Sequence, residues 1–487
     1  MSGLIMTCQL LLSLSLLVLI HEFGHFIAAR SFGIRVSKFY IFFNPTFSLV
    51  RFKKVNGKWQ FKFFAKNLET LEIEKDIYGQ PILDEKGRHI YKTINTNLLP
   101  DDDWRKYPEN TEYGIGWLPL GGYVKIAGMI DESMDTASLK EEPKDWEFRS
   151  KPAWQRFVIM VAGVVMNVIA GVLILTFSHL SFTKEYLPVQ NVPEGIYAYP
   201  YARYLGFENG DKIIAINGKP VERYEDVFST KLYFANEVTV DRSGTVHNIE
   251  MPDTIYSYLR KGGALISMEN HSFIVDSVLP ESPAYNAGIR KGAKILYING
   301  ENIRSYGQMR EILMYSKNDN LKFVVDNKMS YDTLDVHIDN SGKIGIYTSH
   351  PVYELKKYDF ASAMKYGWND AFEAVHSNIK GFGLIFSGKE SARENLSGPI
   401  GIAKAYGGVW NWERFWKLTG IISMILAFVN ILPIPALDGG HALFLFIEAI
   451  TRRKLSDKFM EVVQIIGMII LFGLMIFIIG NDIINLF

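Results

Sequence analysis

The chain has 487 residues, of which 48% are hydrophobic, and its 52 basic and 52 acidic residues leave no formal net charge. This composition is too apolar for a typical soluble enzyme and too polar for a bundle buried entirely in a membrane, so it predicts membrane spans joined to soluble domains. The balanced charge gives no reason to expect nucleic acid as a partner. The only cysteine, Cys8, excludes an intrachain disulfide and a cysteine-rich metal site.

The first predicted element, residues 1–30, is an apolar helix that carries a metal-binding pattern. It is long enough to span a bilayer, and because it lacks a basic start we expect it to be retained rather than cleaved as a signal peptide. Within it, His21 and His25 are separated by one helical turn and therefore share a face. Two imidazoles so placed can ligate Zn²⁺, and Glu22 beside them can take a proton from water. Ionisable groups at membrane depth are costly, which favours a metal site over structural polar residues.

The next segment, 31–153, is rich in Lys and Arg and is predicted to contain β-hairpins. Leu49–Val55 and Lys58–Phe64 flank an Asn-Gly pair, which is a strong hairpin signal. Residues 66–112 are charged and interrupted by Gly and Pro, and we interpret them as a surface insertion with no assigned chemistry.

A glycine-rich apolar stretch, 114–125, ends this segment and includes Gly116, Gly121 and Gly122. We expect a pair of strands here, which either lies against the bilayer beside the histidines or forms an ordinary hairpin in a soluble sheet. The second span, 154–182, follows. Its Asn167 either bonds a neighbouring helix or orients a metal ligand, whereas its small residues suit close helix packing.

Residues 185–265 and 266–350 contain an internal repeat with a constant offset of 82 positions. Ala202, Gly206, Gly210, Ile213, Ile216, Asn217 and Gly218 recur as Ala284, Gly288, Gly292, Ile295, Ile298, Asn299 and Gly300. The repeated unit is a turn, a short buried strand and a reversing Asn-Gly, and it resembles the core of PDZ domains, which bind peptides by adding a strand to a sheet. The sequence predicts two tandem α/β PDZ-like domains that act either as peptide binders or as an inert size filter.

The C-terminal part, from residue 355, returns to the membrane. Residues 355–414 are predicted to hold an amphipathic helix, Phe360–Phe386, and a linker. The third span, 415–440, is interrupted by prolines, which free backbone carbonyls and bend the chain toward a cavity. A carboxylate is a good third zinc ligand beside two His, so Asp438 is a candidate, and His441 competes with it chemically. The last span is 458–481.

The basic segments 31–153 and 451–458 place these parts in the cytoplasm by the positive-inside rule. With four spans, the PDZ-like region and both termini then lie outside. The histidines of the first span and Asp438 fall near the cytoplasmic face.

Two paired motifs carry a resemblance to a known family. They are His21-Glu22-x-x-His25 in the first span and Asn430-x-x-Pro433-x-Pro435-x-Leu437-Asp438-Gly439-Gly440 in the third. With them the chain resembles the site-2 proteases, which are intramembrane zinc metalloproteases. The two PDZ-like domains make it similar to the bacterial regulator-of-sigma-E protease group, and the resemblance covers nearly the whole chain. The chain departs from that group at two places. The 66–112 insertion is longer than usual, and the first repeat has Leu205 where the second has Ala287.

The resemblance implies one Zn²⁺ held by His21, His25 and Asp438, with Glu22 as general base. It implies a substrate-holding or supporting role for Asn430, and a membrane-associated β-loop at 114–125. The expected function is cleavage of single-pass membrane proteins within the bilayer, near the cytoplasmic face of a bacterial inner membrane. The substrates would already be trimmed outside the membrane, as anti-sigma factors or remnant signal peptides are in regulated intramembrane proteolysis. A catalytically silent PDZ scaffold and a metal transporter are the alternatives.

Overall fold

The computed structural model describes residues 2–68, 71–73, 80–82, 91–94, 96–119, 121–129, 142–182, 184–186, 192, 194–228, 230–260, 263–271, 273–327, 330–348, 354–453 and 455–484. The chain divides into two compact units. The first comprises Met1–Phe182, Tyr358–Asn378 and Ser391–Phe487, and the second comprises Thr183–Lys357 and Ile379–Glu390.

The helices are, in chain order, α1 (Ser2–Ser31), α2 (Ala153–Ser181), α3 (Pro200–Leu205), α4 (Thr230–Tyr233), α5 (Thr254–Arg260), α6 (Pro283–Ala287), α7 (Tyr306–Tyr315), α8 (Phe360–Phe386), α9 (Ala392–Asn395), α10 (Pro399–Tyr406), α11 (Trp412–Ile431), α12 (Asp438–Thr451) and α13 (Asp457–Ile484). The strands are β1 (Val36–Ile41), β2 (Phe47–Val55), β3 (Lys58–Lys66), β4 (Leu71–Ile73), β5 (Tyr91–Thr93), β6 (Glu112–Ile115), β7 (Tyr123–Ile126), β8 (Lys184–Tyr186), β9 (Ile196–Ala198), β10 (Lys212–Ile216), β11 (Lys219–Pro220), β12 (Glu237–Arg242), β13 (Thr245–Glu250), β14 (Ile266–Met268), β15 (Val275–Val278), β16 (Lys294–Ile298), β17 (Glu301–Asn302), β18 (Asn320–Asp326), β19 (Tyr331–His337), β20 (Ile346–Thr348) and β21 (Glu354–Lys356).

Four of the described helices are long and apolar enough to cross a membrane, in agreement with the four predicted spans. They are Ser2–Ser31, Ala153–Ser181, Trp412–Ile431 and Val462–Ile484. The third differs from the predicted segment 415–440, because α11 ends at Ile431 and a separate helix, α12, begins at Asp438. Prolines at 433 and 435 supply no backbone N–H to continue the helix, so the chain leaves it there and restarts.

A five-stranded sheet follows α1 in the first unit, in the order β3-β2-β6-β1-β7. The predicted hairpin is present as β2 and β3, which pair antiparallel around Asn56 and Gly57. The prediction that two strands within 114–125 pair with each other is wrong. β6 runs parallel to β1 on one side, and β7 runs antiparallel to β1 on the other. Leu120, between them, lies outside the described residues. β1 therefore lies between β6 and β7, and each of them pairs with β1 instead of with the other.

The second unit contains the two sequence repeats, and each has the same strand order. The four-stranded sheets are β11-β10-β12-β13 and β17-β16-β18-β19, and a two-stranded pair accompanies each, β14-β9 and β15-β20. Separate apolar cores fill the two copies. Strands β8 and β21 pair with each other, so the two ends of the segment Thr183–Lys357 lie side by side.

In the predicted insertion 66–112, the described part contains β4 and β5, which form a small antiparallel pair. Residues 69–70, 74–79, 83–90 and 95 of the insertion lie outside the described residues. The predicted amphipathic helix is α8, with the predicted ends.

Candidate metal centre

Three side chains from distant parts of the sequence meet in the first unit. His21 and His25 lie one turn apart on α1, and Asp438 is the first residue of α12. Asp438 Oδ2 lies 3.0 Å from His21 Nε2 and 3.3 Å from His25 Nε2, and the two Nε2 atoms are 3.2 Å apart. Within the part of the chain that the structure describes, this is the only group of His, Cys, Asp or Glu side chains placed to hold a metal ion.

Asp438 reaches the histidines because the chain folds back sharply between α11 and α12. A Cβ atom at Gly440 would lie 2.9 Å from Cα of Pro435, so glycine permits the close return of the proline segment onto the helix start. The helix is held further along by an ion pair, in which Arg156 of α2 lies 2.5 Å from Glu448 of α12. The proline break and this ion pair together set where the carboxylate sits.

Hydrogen bonds on the far side of each imidazole orient the two rings. His25 Nδ1 lies 2.8 Å from the carbonyl oxygen of Ile159, to which it donates, and this leaves Nε2 with a lone pair directed at the centre. His21 Nδ1 lies 3.2 Å from Nδ2 of the Asn167 side chain. Amide oxygen and nitrogen exchange places on a flip, and the orientation in which His21 Nδ1–H donates to Oδ1 of Asn167 also leaves Nε2 of His21 as an acceptor.

The donor set fits a zinc ion. Ligand atoms at Zn²⁺ bonding distance in a tetrahedral arrangement lie about 3.3 Å apart, close to the three separations above. Asp438 Oδ2 is buried, and the polar atoms beside it are the two imidazole Nε2 atoms. In that orientation of the Asn167 amide, both rings carry their proton on Nδ1 and three lone pairs converge on one point, which is unfavourable unless a cation lies between them.

The remaining predicted site residues are divided between the site and its surroundings. A cavity of about 660 Å³ is lined by His21, Glu22, His25 and Asp438 together with Gly121, Gly122, Asn167 and Asn430. His441 also lines this cavity, but it is not part of the converging donor set. Gly116, Pro433 and Pro435 lie outside the lining: the backbone N–H of Gly116 donates to Ile41, and Pro435 packs against Gly467 of α13.

The β7 strand forms one wall of the cavity close to Glu22. A Cβ at Gly122 would lie 2.8 Å from Cγ1 of Val18 and 3.6 Å from Cγ of Glu22, so the absence of a side chain lets the start of β7 approach α1. Tyr123 and Val124 of β7 continue the same wall.

Gly163 also lies at the site, although the sequence predicted only that it packs against a neighbouring helix. A Cβ there would meet His25 Nε2 and would lie 2.7 Å from Cε1 and 2.9 Å from Nε2 of His21. The available signal was its spacing, since Gly163 and Asn167 are four residues apart and therefore share one face of α2.

Comparisons with known proteins assign the chain to a family. Residues 9–66 and 103–474 match peptidase family M50. The regulator of sigma E protease of Haemophilus influenzae is 26% identical over 502 residues, covering 98% of both chains. A Vibrio cholerae protein whose name describes a zinc metalloprotease is 25% identical over 97% of both chains, and the protease eep of Enterococcus faecalis is 24% identical over 96% of both. The match to the family covers most of the chain, and this protein is therefore a protease that belongs to peptidase family M50, the site-2 protease family.

Proposed function

We propose that the protein is an intramembrane zinc endopeptidase in which His21, His25 and Asp438 hold one Zn²⁺ and Glu22 is the general base. The observation that carries the proposal is the convergence of three oriented donor atoms within 3.3 Å, inside a cavity that reaches the lipid-spanning part of the fold. Bound zinc supplies Lewis acidity that lowers the pKa of water and polarises a peptide carbonyl.

Three further side chains, Glu22, Asn167 and Asn430, take the remaining roles in the reaction. Glu22 lines the same cavity as the histidines and takes the proton from the attacking water, then returns it to the departing amine. Asn167 holds His21 in the tautomer that leaves Nε2 free, through the contact at 3.2 Å. Asn430 offers the cavity an amide that can bond the substrate backbone.

The cavity wall supports cleavage of an extended segment. A helical substrate keeps its carbonyls in internal hydrogen bonds, so the bond to be cut has to be presented as a strand. β7 is an edge strand of the five-stranded sheet and lines the cavity beside Glu22. We propose that the substrate adds to this edge and that the stretch 114–125 is the membrane-associated β-loop.

The substrates that suit this site are single-pass membrane proteins whose outer domains have been removed, of the anti-sigma factor or remnant signal peptide type. The name of the Haemophilus relative, a regulator of sigma E protease, supports this class. The two repeats of 185–265 and 266–350 are proposed to be PDZ-like domains that face the outside of a bacterial inner membrane and bind or filter substrates. The basic segments 31–153 and 451–458 support an active site near the cytoplasmic face.

The test is cleavage of a model transmembrane peptide by the purified, full-length protein. We expect cleavage by the wild type, loss of cleavage on chelation with recovery on adding zinc, and loss with retained zinc content for Glu22→Gln. A silent scaffold would leave the peptide intact in every sample. A transporter would carry zinc into proteoliposomes and leave the peptide intact. Either of these results contradicts the proposal.

A further inference from the structure

The five-stranded sheet of the first unit has one face that is only half covered by protein. Across it, Phe61, Phe52, Tyr113, Phe39 and Val124 are successive partners on neighbouring strands, so an apolar row crosses the whole sheet. At the β1 and β7 end this row packs on α1 and is buried, as Phe39 and Val124 are 8% and 9% exposed. At the β3 end the row is open.

The uncovered end carries large aromatic side chains on alternate positions of β3. Trp59, Phe61 and Phe63 are 55%, 59% and 66% exposed, and side chains at alternate positions of a strand share one face. An uninterrupted apolar surface of this kind is unusual on a water-exposed sheet and marks an interaction surface.

The opposite face of the same hairpin is covered by protein, so the aromatic residues are not exposed for lack of a fold around them. The buried Trp104 lies over this face, where its Nε1–H donates to Gln60 Oε1 at 2.7 Å. The side chains of Arg51 and Lys62 lie against the Trp104 ring, at 5.2 Å and 4.6 Å from its centre. The hairpin therefore has one face built for protein contact and one face left apolar.

The open aromatic face continues into the lipid-facing surface of α1. Phe23 on this membrane-spanning helix is 44% exposed and stacks on Phe26, with ring centres 6.2 Å apart. Phe26 contacts Tyr113 at 6.1 Å, Tyr113 stacks on Phe52 at 5.3 Å, and Phe52 stacks on Phe61 at 5.3 Å. The row of rings runs without interruption from the span to the edge of the sheet.

Basic side chains border this surface. Lys54, Lys58 and Lys66 are exposed and lie at the ends of β2 and β3. Aromatic rings prefer the headgroup level of a bilayer, and nearby lysines attract anionic lipid headgroups. Both preferences are met at one depth if the aromatic face lies in the leaflet that α1 leaves at Ser31.

We propose that the β2–β3 hairpin is a lipid-anchoring surface, in which Trp59, Phe61 and Phe63 insert into the interfacial layer of the bilayer beside α1. The other end of the same sheet carries β7, which lines the metal-centre cavity, so the anchor fixes the depth of that cavity in the leaflet. The proposal requires neither metal binding nor proteolysis, and it stands or fails independently of the proposed function.

The test places a fluorescent probe on single cysteines of the full-length protein in a Cys8→Ser background. The variants are Phe61→Cys and Phe63→Cys, and the control is Asp101→Cys, because the Asp101 side chain is 70% exposed and lies outside the hairpin. Each is reconstituted in vesicles of phosphatidylethanolamine and phosphatidylglycerol that contain a lipid with a nitroxide near the top of its acyl chain. We expect strong quenching at 61 and 63 and little at 101.

A second pair of measurements separates lipid from a second copy of the chain as the occupant. Equal, weak quenching at all three positions overturns the proposal, and so does disulfide cross-linking between copies through position 61 without quenching. The variant Phe61→Ser, Phe63→Ser is a further check that needs no probe. It is expected to release the hairpin from the bilayer and to increase protease cutting within residues 56–66 in vesicles, whereas unchanged cutting contradicts the anchor.

Discussion

Replacing Gly163 by alanine tests the metal centre through one methyl group. The added carbon would meet His25 Nε2 and would lie 2.7 Å from His21 Cε1, whereas carbon atoms in contact prefer about 3.5 Å. Relief therefore needs a movement of about 0.8 Å by α2 or by an imidazole, and zinc ligand distances tolerate only about 0.2 Å. We expect the variant to lose most of its bound zinc, with a stability cost of about 1–3 kcal/mol from overpacking.

The assay is the zinc content per chain of the detergent-purified protein, measured by mass spectrometry. The matched control is Gly171→Ala on the same helix, where the added carbon would meet the flexible side chain of Met424, 2.6 Å from its sulfur and away from the cavity. The control is expected to keep its zinc with a similar loss of stability. A Gly163→Ala protein with a full equivalent of zinc would refute the packing argument.

Three further predictions concern interactions outside the metal centre. The variant Glu448→Gln leaves Arg156 buried without its carboxylate partner and is expected to lower the stability of the fold by about 3–5 kcal/mol, measured as a lower Tm. Replacing both Arg156 and Glu448 by apolar residues should recover most of that stability. Burial alone would raise the pKa of Glu311, but hydrogen bonds from Arg203 and Tyr197 outweigh the effect of burial and hold this pKa below its ordinary value of 4.5. The stabilisation by Glu311 is therefore complete above pH 4.5 and is lost as the pH falls through the lower folded-state pKa. In urea unfolding, Glu311→Gln should reduce the fall in the free energy of unfolding at acidic pH. An unchanged fall would contradict the assignment. Asp482 accepts three backbone N–H groups at the start of α10, so Asp482→Ala should speed amide exchange there, and unaltered exchange would show that the cap is dispensable.

Local patterns in the sequence were sufficient for the separate elements of this protein. The four apolar helices and the β2–β3 hairpin follow from composition and from an Asn-Gly turn, because both signals act over a few neighbouring residues. The shared face of His21 and His25 follows in the same way, since four residues make about one turn of helix. The constant offset of 82 positions likewise predicted two copies of one supersecondary unit.

The tertiary structure decided the relations between distant segments. Residue type alone left Asp438 and His441 as competing candidates, and the return of α12 after the proline break is what brings the Asp438 carboxylate to the histidines. The strands of 114–125 pair with β1 rather than with each other, and Gly163 of α2 lies against the imidazoles of α1. These contacts join residues far apart in the chain, so they depend on how whole helices and strands pack, and packing is a property of the assembled fold rather than of any local sequence.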